Sequence, residues 1–499
     1  MRGSTAPGLH MDLLTPELPP IAALFVIQFD LKAGYTITWK RTTPNITLDG
    51  VEFKSLPSGL HNLDHDLIYF VHPPHAGISA FIRVPAPSSD RNALQLSIGA
   101  LVPLSYGRLG RSWRHAANLQ SLARSFAADP KAHGVLDEYF HTHSIPSVDS
   151  GGENLRYRGG GDRRKGSESG LAKELEPFHP ARSLRGFISL LGPLVWPVWR
   201  AAVEGKRILV VTGAPVEKAC NFVYDISILS TIPLSSHPLL PRPPPRLRPL
   251  FSIGVSDIPL LETEAKTHGS WVACTTDEIL HMKTALYDLI ITLPPSHNAA
   301  AWPKLETSAG APVLATQRDL VRYRGLKRWL GGGSEDDEDS GRREESVCEP
   351  LSWREIAYTG FLWWASAGEK RGESDGDEGR RPLLGEEESE SESDGDGDGD
   401  RDGGEEEGAP QKKEAGGCLE AEVVGYFQGV TDALLAGIAE VVEDAEEGEV
   451  VVFGCEEVER LGLDKGETDA AFVKAVCERY FGREARVEVE GWSCLGGLC

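Results

Sequence analysis

The sequence lacks several patterns that mark common classes of protein. Eight cysteines in 499 residues, with no C-x-x-C pair, exclude a disulfide framework and are typical of reduced cytosolic thiols. The first twenty residues contain Asp12 and Glu17 and have no continuous apolar run, so they do not resemble a signal peptide. The longest apolar stretch, 187–199, is too short to span a bilayer and contains two prolines. We therefore expect a soluble, cytoplasmic protein with at most peripheral contact to endomembranes.

Basic side chains are fewer than acidic ones, 51 against 75, but most of the acidic excess lies in one segment. The net charge is −24, and residues 331–417 hold 28 acidic and 10 basic side chains, which leaves only −6 for the rest of the chain. This segment is rich in Glu, Asp, Gly and Ser, so we predict that it is disordered. An aromatic stretch within it, LSWREIAYTGFLWWASAG at 351–368, is expected to dock on a folded lobe as a helix. We predict no binding to nucleic acid.

A histidine-rich stretch, SLPSGLHNLDHDLIYFVH at 55–72, raises the question of a metal site. His61 and His65 are four residues apart, which would place both imidazoles on one face of a helix. Pro57 and Gly59 favour a short turn instead, no H-E-x-x-H is present, and a zinc site needs three or four converging ligands. We therefore interpret the stretch as a turn in front of a strand and predict no metal.

Other motifs of chemistry are incomplete. The sequence VVTGAPVEKA at 210–219 has Gly213 alone where a dinucleotide site needs several glycines. The tract DGDGDGDRDGGE at 394–405 matches a calcium loop, but no helix flanks it and Arg401 stands where an apolar residue normally packs. No G-x-S-x-G nucleophile elbow occurs. We predict no cofactor, no catalytic residue and no bond-making chemistry.

The sequence predicts two folded α/β units. After a loose tail at 1–18, residues 19–145 show five strand patterns followed by an amphipathic helix at 111–126; the strands are at 21–30, 35–40, 67–72, 78–84 and 94–104. A linker is predicted at 146–180. Residues 181–330 then alternate strands and helices, as in a parallel or mixed sheet; the strands are at 207–213, 250–255 and 270–276, and the helices at 214–230 and 277–291.

Two further segments complete the predicted organisation. The proline-rich loop SSHPLLPRPPPRLRP at 235–249 is predicted to be an exposed polyproline II segment. Residues 418–499 are predicted to be mainly helical, with a long amphipathic helix at 418–444, a strand at 450–454 and a helix at 467–481.

The runs ALFVIQFDLKAGYTITWKR, GVEFKSLPSGLHNLDHDLIYFVH and GISAFIRV resemble the amino-terminal region of the LCHN-type branch of the DENN-domain family. The runs LFSIGV and SWVACTTDEILHMKTALYDLIITLPP follow in the same order. LSWREIAYTGFLWWASAGE and GLDKGETDAAFVKAVCERYFGREARVEV resemble the segment found in fungal members of this branch. Together these runs cover about two-thirds of the chain.

The resemblance implies a longin-like α/β layer, an α/β DENN lobe and a mainly helical carboxy-terminal part. It implies guanine nucleotide exchange on Rab-type small GTPases in vesicle trafficking, an activity without bond chemistry. In this family PSGLHNLDHD is a connector without metal chemistry. The resemblance supplies no single essential residue.

Basic and aromatic residues are the candidates for a surface that binds a GTPase. Arg111, Arg114 and Arg124 form a basic face on the predicted helix, and Trp196 lies in an aromatic region; these four are the candidate contact residues. The alternative is that Trp113 and Trp199 belong to the core and that the arginines form a solvated face. A trafficking scaffold that recruits docking proteins through 235–249 is the alternative function, and an unrelated α/β enzyme is the third.

Overall fold

The computed structural model describes residues 18–488 except 31, 57–58, 60–62, 87–92, 145–174, 299, 331–417, 447 and 465. The strands are β1 Ala23–Asp30, β2 Gly34–Thr42, β3 His65–His72, β4 His75–Pro85, β5 Ala93–Pro103, β6 Ile208–Val211, β7 Arg248–Ser252, β8 Trp271–Thr275, β9 Leu289–Thr292, β10 Lys304–Thr307, β11 Val451–Phe453 and β12 Ala485–Val487. The helices are α1 Val51–Ser55, α2 Ala116–Ala128, α3 His133–His143, α4 Leu184–Leu191, α5 Val195–Val203, α6 Glu217–Leu229, α7 Ile258–Thr267, α8 Glu278–His281, α9 Gln317–Leu330, α10 Leu419–Asp444, α11 Cys455–Arg460 and α12 Glu467–Val476.

Some predicted features lie outside the described residues. These are the tail up to residue 17, residues 146–174 of the predicted linker 146–180, and the acidic segment 331–417 with its aromatic stretch 351–368. The rest of the predicted linker is packed, since Leu175 and His179 are buried.

Ten strands form one mixed sheet in the order β10-β9-β6-β8-β7-β3-β4-β5-β1-β2. Strands β1 to β5 pair antiparallel with one another. Strand β6 pairs parallel with β8 and β9, and β7 pairs parallel with β8. The mixed α/β class and the five amino-terminal strands are confirmed, and the sheet runs without interruption across the predicted boundary between the two units.

Two cross-strand pairs in the antiparallel half set a phenylalanine against a glycine. Phe25 of β1 lies opposite Gly99 of β5, and Phe70 of β3 lies opposite Gly77 of β4. Both phenylalanine side chains are fully buried, and a β-carbon on either glycine would collide with the facing ring. The glycines therefore leave space that the aromatic core fills.

We expect Gly77→Ala to lower the free energy of unfolding by about 1–3 kcal/mol, because the added methyl group must displace the buried Phe70 ring. The matched control is Gly186→Ala, which adds the same group within α4 where nothing lies within 4 Å and which favours the helix. Urea denaturation of both variants measures the difference. A Gly77→Ala protein as stable as the wild type would contradict this packing.

Helices cover both faces of the parallel half. Ile208 and Val210 of β6 belong to the core that includes α6, whereas Leu209 packs with Leu261 of α7 and Leu280 of α8. The chain therefore leaves β6 and β8, which are neighbours, toward opposite faces of the sheet. Open α/β sheets commonly bind ligands beyond the carboxyl ends of strands at such a switch point.

Two predicted helices of this half were wrong in extent. The helix predicted at 214–230 begins at Glu217, and Pro215 precedes it instead of occupying its first turn. The helix predicted at 277–291 is only the single turn α8, and its apolar end forms β9. The run LIIT of β9 has no polar residues at helical spacing. In the buried sheet, hydrogen bonds to β6 on one side and to β10 on the other satisfy its backbone.

The carboxy-terminal segment packs against α5. Ring centroids of Trp196 on α5 and Phe427 on α10 are 5.0 Å apart, and those of Trp199 and Phe472 on α12 are 5.7 Å apart. The predicted long helix and the strand at 450–454 are confirmed as α10 and β11. The helix predicted at 467–481 is α-helical only as far as α12 and then continues as a π-helical turn.

One helical stretch, Pro180–Val203, has the length and apolar composition of a membrane span, but 72% of its most apolar window is buried inside the protein. Its apolar side chains are thus covered by the sheet and by the carboxy-terminal helices. The stretch contains α4 and α5, and both act as core helices.

Candidate partner interface

The two halves of the sheet meet between β3 and β7. Phe70 pairs with Phe251 in antiparallel register, and both side chains are fully buried. Phe251 has a φ of 59°, which non-glycine residues rarely adopt, and the register of β7 shifts between Pro249 and Phe251. This bulge changes the direction of β7. The strand can therefore pair parallel with β8 on one side and antiparallel with β3 on the other.

A buried ion pair also joins the halves. Lys54 Nζ of α1 lies 2.7 Å from Asp257 Oδ1 in the turn after β7, with side chains 9% and 4% exposed. The same ammonium group donates to the carbonyl oxygen of Val71 at 2.8 Å, and Asp257 accepts from the Gly254 N–H at 3.0 Å. Because an unpaired buried charge is costly, these contacts hold α1 against the turn after β7.

Asp66, from the histidine-rich stretch, caps the beginning of α6. Its carboxylate accepts hydrogen bonds from the N–H groups of Val216 at 2.7 Å, Glu217 at 3.2 Å and Leu67 at 2.8 Å. Burial raises the pKa of Asp66, and the three N–H groups oppose this rise. A carboxylate at the start of a helix is favourable, so this residue has a structural role between the halves.

The described part of the chain contains His65, one of the two histidines whose spacing suggested a metal site. No group of three or more His, Cys, Asp or Glu side chains in that part is close enough to hold a metal ion. His65 is exposed, and His61 lies outside the described residues. The stretch ends in β3, as the connector interpretation predicts.

Glu217, in the first turn of α6, is a weaker acid than an ordinary glutamate. Burial, and after it the neighbouring carboxylate of Asp66, raise the pKa of Glu217 to about 7 from the ordinary value of 4.5. Two acidic side chains thus share one partly buried site at the junction of the halves.

We expect Glu217→Gln to stabilise the protein at about pH 8, by about 1–2 kcal/mol, and to change little below about pH 5. The folded protein holds a proton that the unfolded chain releases near 4.5, so the wild type loses stability as the pH rises toward 7. Glu278→Gln, at the exposed first turn of α8, is the control. Urea denaturation at both pH values gives the comparison, and an equal effect of Glu217→Gln at the two pH values would contradict it.

Four exposed apolar side chains belong to segments that border this junction. Phe53 of α1, Val255 after β7, Ile279 of α8 and Met282 after α8 are 49%, 40%, 50% and 71% exposed. We call these four residues the seam patch. Clustered apolar side chains at a protein surface are typical of interaction sites.

The contacts around the seam patch show that its segments are neighbours. Phe53 adjoins Lys54 in sequence, and the ion pair of Lys54 with Asp257 brings the backbone of α1 to the segment that contains Val255. The ring of Phe53 itself packs edge-on against Tyr35 of β2, with 6.2 Å between the ring centroids, so Phe53 lies at the border of the patch. The N–H of Val255 donates to Asp277 Oδ2 at 3.3 Å, which brings that segment to the start of α8. The patch therefore lies at the carboxyl ends of β7 and β8 and draws on both halves of the sheet.

Polar residues border the seam patch on the side of α8. Glu278, His281 and Lys283 are exposed and alternate in sequence with its apolar members. An apolar centre with a charged rim is the usual composition of a surface that binds another protein.

The three predicted contact arginines do not form one exposed face. The helix predicted at 111–126 begins as a 3-10 turn, and α2 proper starts at Ala116. Arg111 and Arg114 lie in or beside this turn and are half-buried, while Arg124 is exposed on α2. Arg114 donates from Nε to Glu176 Oε2 at 2.7 Å, so it holds the segment before α4 against the first half of the sheet.

Trp196 corrects the aromatic part of the predicted surface. Its side chain is 0% exposed, and the Arg322 guanidinium lies 5.1 Å from its ring centre. A fully buried indole cannot contact a partner in this conformation, so Trp196 is a core residue. Trp113 and Trp199 are also buried, as the core alternative predicted for them.

Sequence reasoning missed the seam patch because its members come from three separate segments. Phe53 and Met282 are single apolar residues between polar neighbours, in EFK and HMK, and Ile279 is followed only by the buried Leu280. Only the pairing of β3 with β7 brings them together, and the bulge that permits this pairing has no sequence signature.

The comparisons with known proteins agree with the resemblance. The family described as DENN domain-containing protein 11 matches residues 24–302, and a Domain of unknown function (DUF4484) matches residues 348–449. The first match is more than half of the chain, and it includes the sheet from β1 to β9 and the whole seam patch but not β10.

Relatives from animals and fungi carry the same similarity. DENN domain-containing protein 11 of Danio rerio is 34% identical over 322 residues, 62% of this chain and 62% of the relative. The protein of that name in Xenopus laevis is 29% identical over 350 residues, 66% and 71% of the two chains. Uncharacterized protein ANR2 of Saccharomyces cerevisiae is 27% identical over 388 residues, 70% and 73%. The chain thus spans somewhat under two thirds of the zebrafish relative, and it belongs to the DENN domain-containing protein 11 family.

Proposed function

We propose that this protein is a guanine nucleotide exchange factor for a Rab-type small GTPase in vesicle trafficking, acting from the cytoplasm on endomembranes. Family membership is the observation that carries the proposal, because DENN domains generally act on Rab GTPases. The seam patch is the surface that we propose for the GTPase. Its apolar centre and charged rim suit a protein partner, and its α8 segment follows β8, one of the two neighbouring strands at the switch point of the sheet.

Exchange requires no bond chemistry in the exchange factor. A protein that binds the nucleotide-free GTPase more tightly than the loaded form must, by linkage, weaken the affinity of the GTPase for its nucleotide by the same factor. Each tenfold difference in affinity corresponds to about 1.4 kcal/mol of coupling. The rigid junction of the two halves would supply this coupling by holding the seam patch in one conformation.

The test is capture of purified Rab-type GTPases by the full chain in three states: emptied with EDTA, loaded with GDP, and loaded with GTP. The proposal predicts selective capture of an empty GTPase. Preferential capture of a GTP-loaded form would instead indicate an effector, and equal capture in all states would indicate a scaffold. Either of these results would contradict exchange activity.

The proline-rich loop favours a scaffold as the second candidate. Its first part is a 3-10 helix, Leu234–Leu239, instead of the predicted polyproline II segment, and Ser235 Oγ donates to Asp432 of α10 at 2.8 Å. Leu240 and Leu247 are buried, which leaves PRPPPR at 241–246 mostly exposed between two anchored ends. Short proline-rich segments of this kind dock in aromatic grooves of partner domains.

A scaffold would bind through this loop without regard to nucleotide. The test is binding of proline-recognising domains to the wild type and to a Pro241→Ala/Pro244→Ala variant. Binding that the variant loses would support docking at the loop, and absence of binding to the wild type would rule it out.

A further inference from the structure

The carboxyl end of α9 carries an exposed basic cluster. Arg324, Lys327 and Arg328 are spaced by three and four residues, so they share one side of the helix, and all three are exposed. Arg185 of α4 is also exposed. Its Nη2 donates to the carbonyl oxygen of Leu330 at 2.8 Å, which places it at the same end of α9. We call these four cations the α9 basic face. Within the described residues they form no ion pair.

The sequence that follows α9 is complementary in charge. Residues 331–334 read GGGS, and residues 335–339 read EDDED, five acidic side chains in succession. Four linker residues can span about 14 Å, while Arg324 lies only about 9 Å along the helix axis from Leu330. The acidic run can therefore reach the whole α9 basic face, and the three glycines allow the chain to reverse.

We propose that the acidic run 335–339 of this chain docks on the α9 basic face. The tether favours this occupant over a membrane or a second protein, because attachment through only four residues gives the acidic run an effective concentration of about the millimolar range. The simpler role for these cations is to offset the negative end of the helix dipole. That role needs no acidic run and predicts no effect of removing it.

The test measures how fast an amine-acetylating reagent modifies Lys327 in the full chain, by mass spectrometry, with the exposed Lys283 as internal reference. The run variant is E335Q/D336N/D337N/E338Q/D339N. The matched control is D394N/D396N/D398N/D400N/D402N, which removes the same charge from the distal tract. We expect Lys327 to react roughly threefold faster in the run variant than in the wild type or the control, as for surface ion pairs. Salt at about 0.5 M should remove the difference.

Carbodiimide crosslinking of the wild type identifies the occupant directly, since it joins a lysine amine to a carboxylate in contact. The proposal predicts crosslinks from Lys327 to residues 335–339 that are independent of protein concentration. Equal acetylation rates in all three proteins, or a larger change in the distal control, would overturn it. Binding of the wild type to phosphatidylserine vesicles, lost in Arg324→Gln/Arg328→Gln, would also overturn it by showing that the face is open to a membrane.

Discussion

Replacing Asp319 with alanine should destabilise the protein by about 3–5 kcal/mol, because it leaves the buried guanidinium of Arg200 without its main partner. The two side chains form a paired contact, with Nη1 to Oδ1 and Nη2 to Oδ2 both at 2.7 Å, and they are 5% and 1% exposed. Arg200 lies on α5 and Asp319 on α9, so the pair joins the core helix to the helix that precedes the acidic segment.

Asp469 of α12 places a second carboxylate near the same cation, with Oδ1 at 3.8 Å from Arg200 Nε. Asp469 should reduce the loss of stability in Asp319→Ala, but it cannot replace the two-point contact, which requires both carboxylate oxygens of Asp319. The free energy of unfolding from urea denaturation measures the effect.

The control is Asp288→Ala. Arg207 and Asp288 make the same kind of two-point contact, with Nε to Oδ2 at 3.0 Å, but their side chains are 26% and 37% exposed. Solvent screens such a pair, which contributes about 1 kcal/mol, and the hydrogen bond from the Arg207 N–H to Asp288 at 2.8 Å adds about 1 kcal/mol. This variant should therefore lose less stability than Asp319→Ala. If the two variants lost equal stability, burial would not be the source of the effect.

The variant Ile279→Asp/Met282→Asp should weaken binding of the empty GTPase by about ten- to a hundredfold, because truncating or charging apolar anchors at the centre of an interface costs at least 1–3 kcal/mol. Both side chains are at least half exposed, so the folded protein should tolerate the change. The dissociation constant for the EDTA-treated GTPase and the Tm of the variant are measured together.

Leu314→Asp is the matched control for the seam patch. Leu314 is 74% exposed and lies between β10 and α9, away from the residues of the patch in sequence. It should leave the dissociation constant unchanged. If Leu314→Asp weakened binding as much as the patch variant, or if the patch variant bound normally, the GTPase would have to bind elsewhere.

Much of the sheet could be predicted from the sequence because its strands are strongly apolar. The run ALFVIQFD became β1 and LIYFVH became most of β3, since uninterrupted apolar residues of this length suit a strand buried on both faces. Helix α10 was predictable for a related reason: its apolar residues recur at helical spacing over many turns.

Other elements gave no such signal. Strand β10, KLET, has one buried residue and exists only because it pairs with β9 at the sheet edge. Helix α9 buries only Asp319 and Leu326, and one of them is charged, so its inner face depends on the ion pair with Arg200. Tertiary contacts stabilise both elements, and no local sequence pattern predicts those contacts.

The predicted contact surface failed in part for the same reason. An aromatic residue such as Trp196 can serve a core or an interface, and its partner here, Phe427, is 231 positions away in the chain. The seam patch depends on β3 meeting β7 and on an ion pair between Lys54 and Asp257. Long-range pairings of this kind bring exposed single residues together without any local pattern.

The most direct test of the central claim is the rate at which a fluorescent GDP analogue leaves the GTPase that the chain captures, measured in excess unlabelled GTP with increasing amounts of wild-type protein. The account predicts a release rate that rises with the concentration of the protein, since preferential binding to the empty GTPase must lower its affinity for nucleotide. A release rate that stays at the intrinsic value, although the empty GTPase binds, would contradict exchange activity and leave a scaffold as the function.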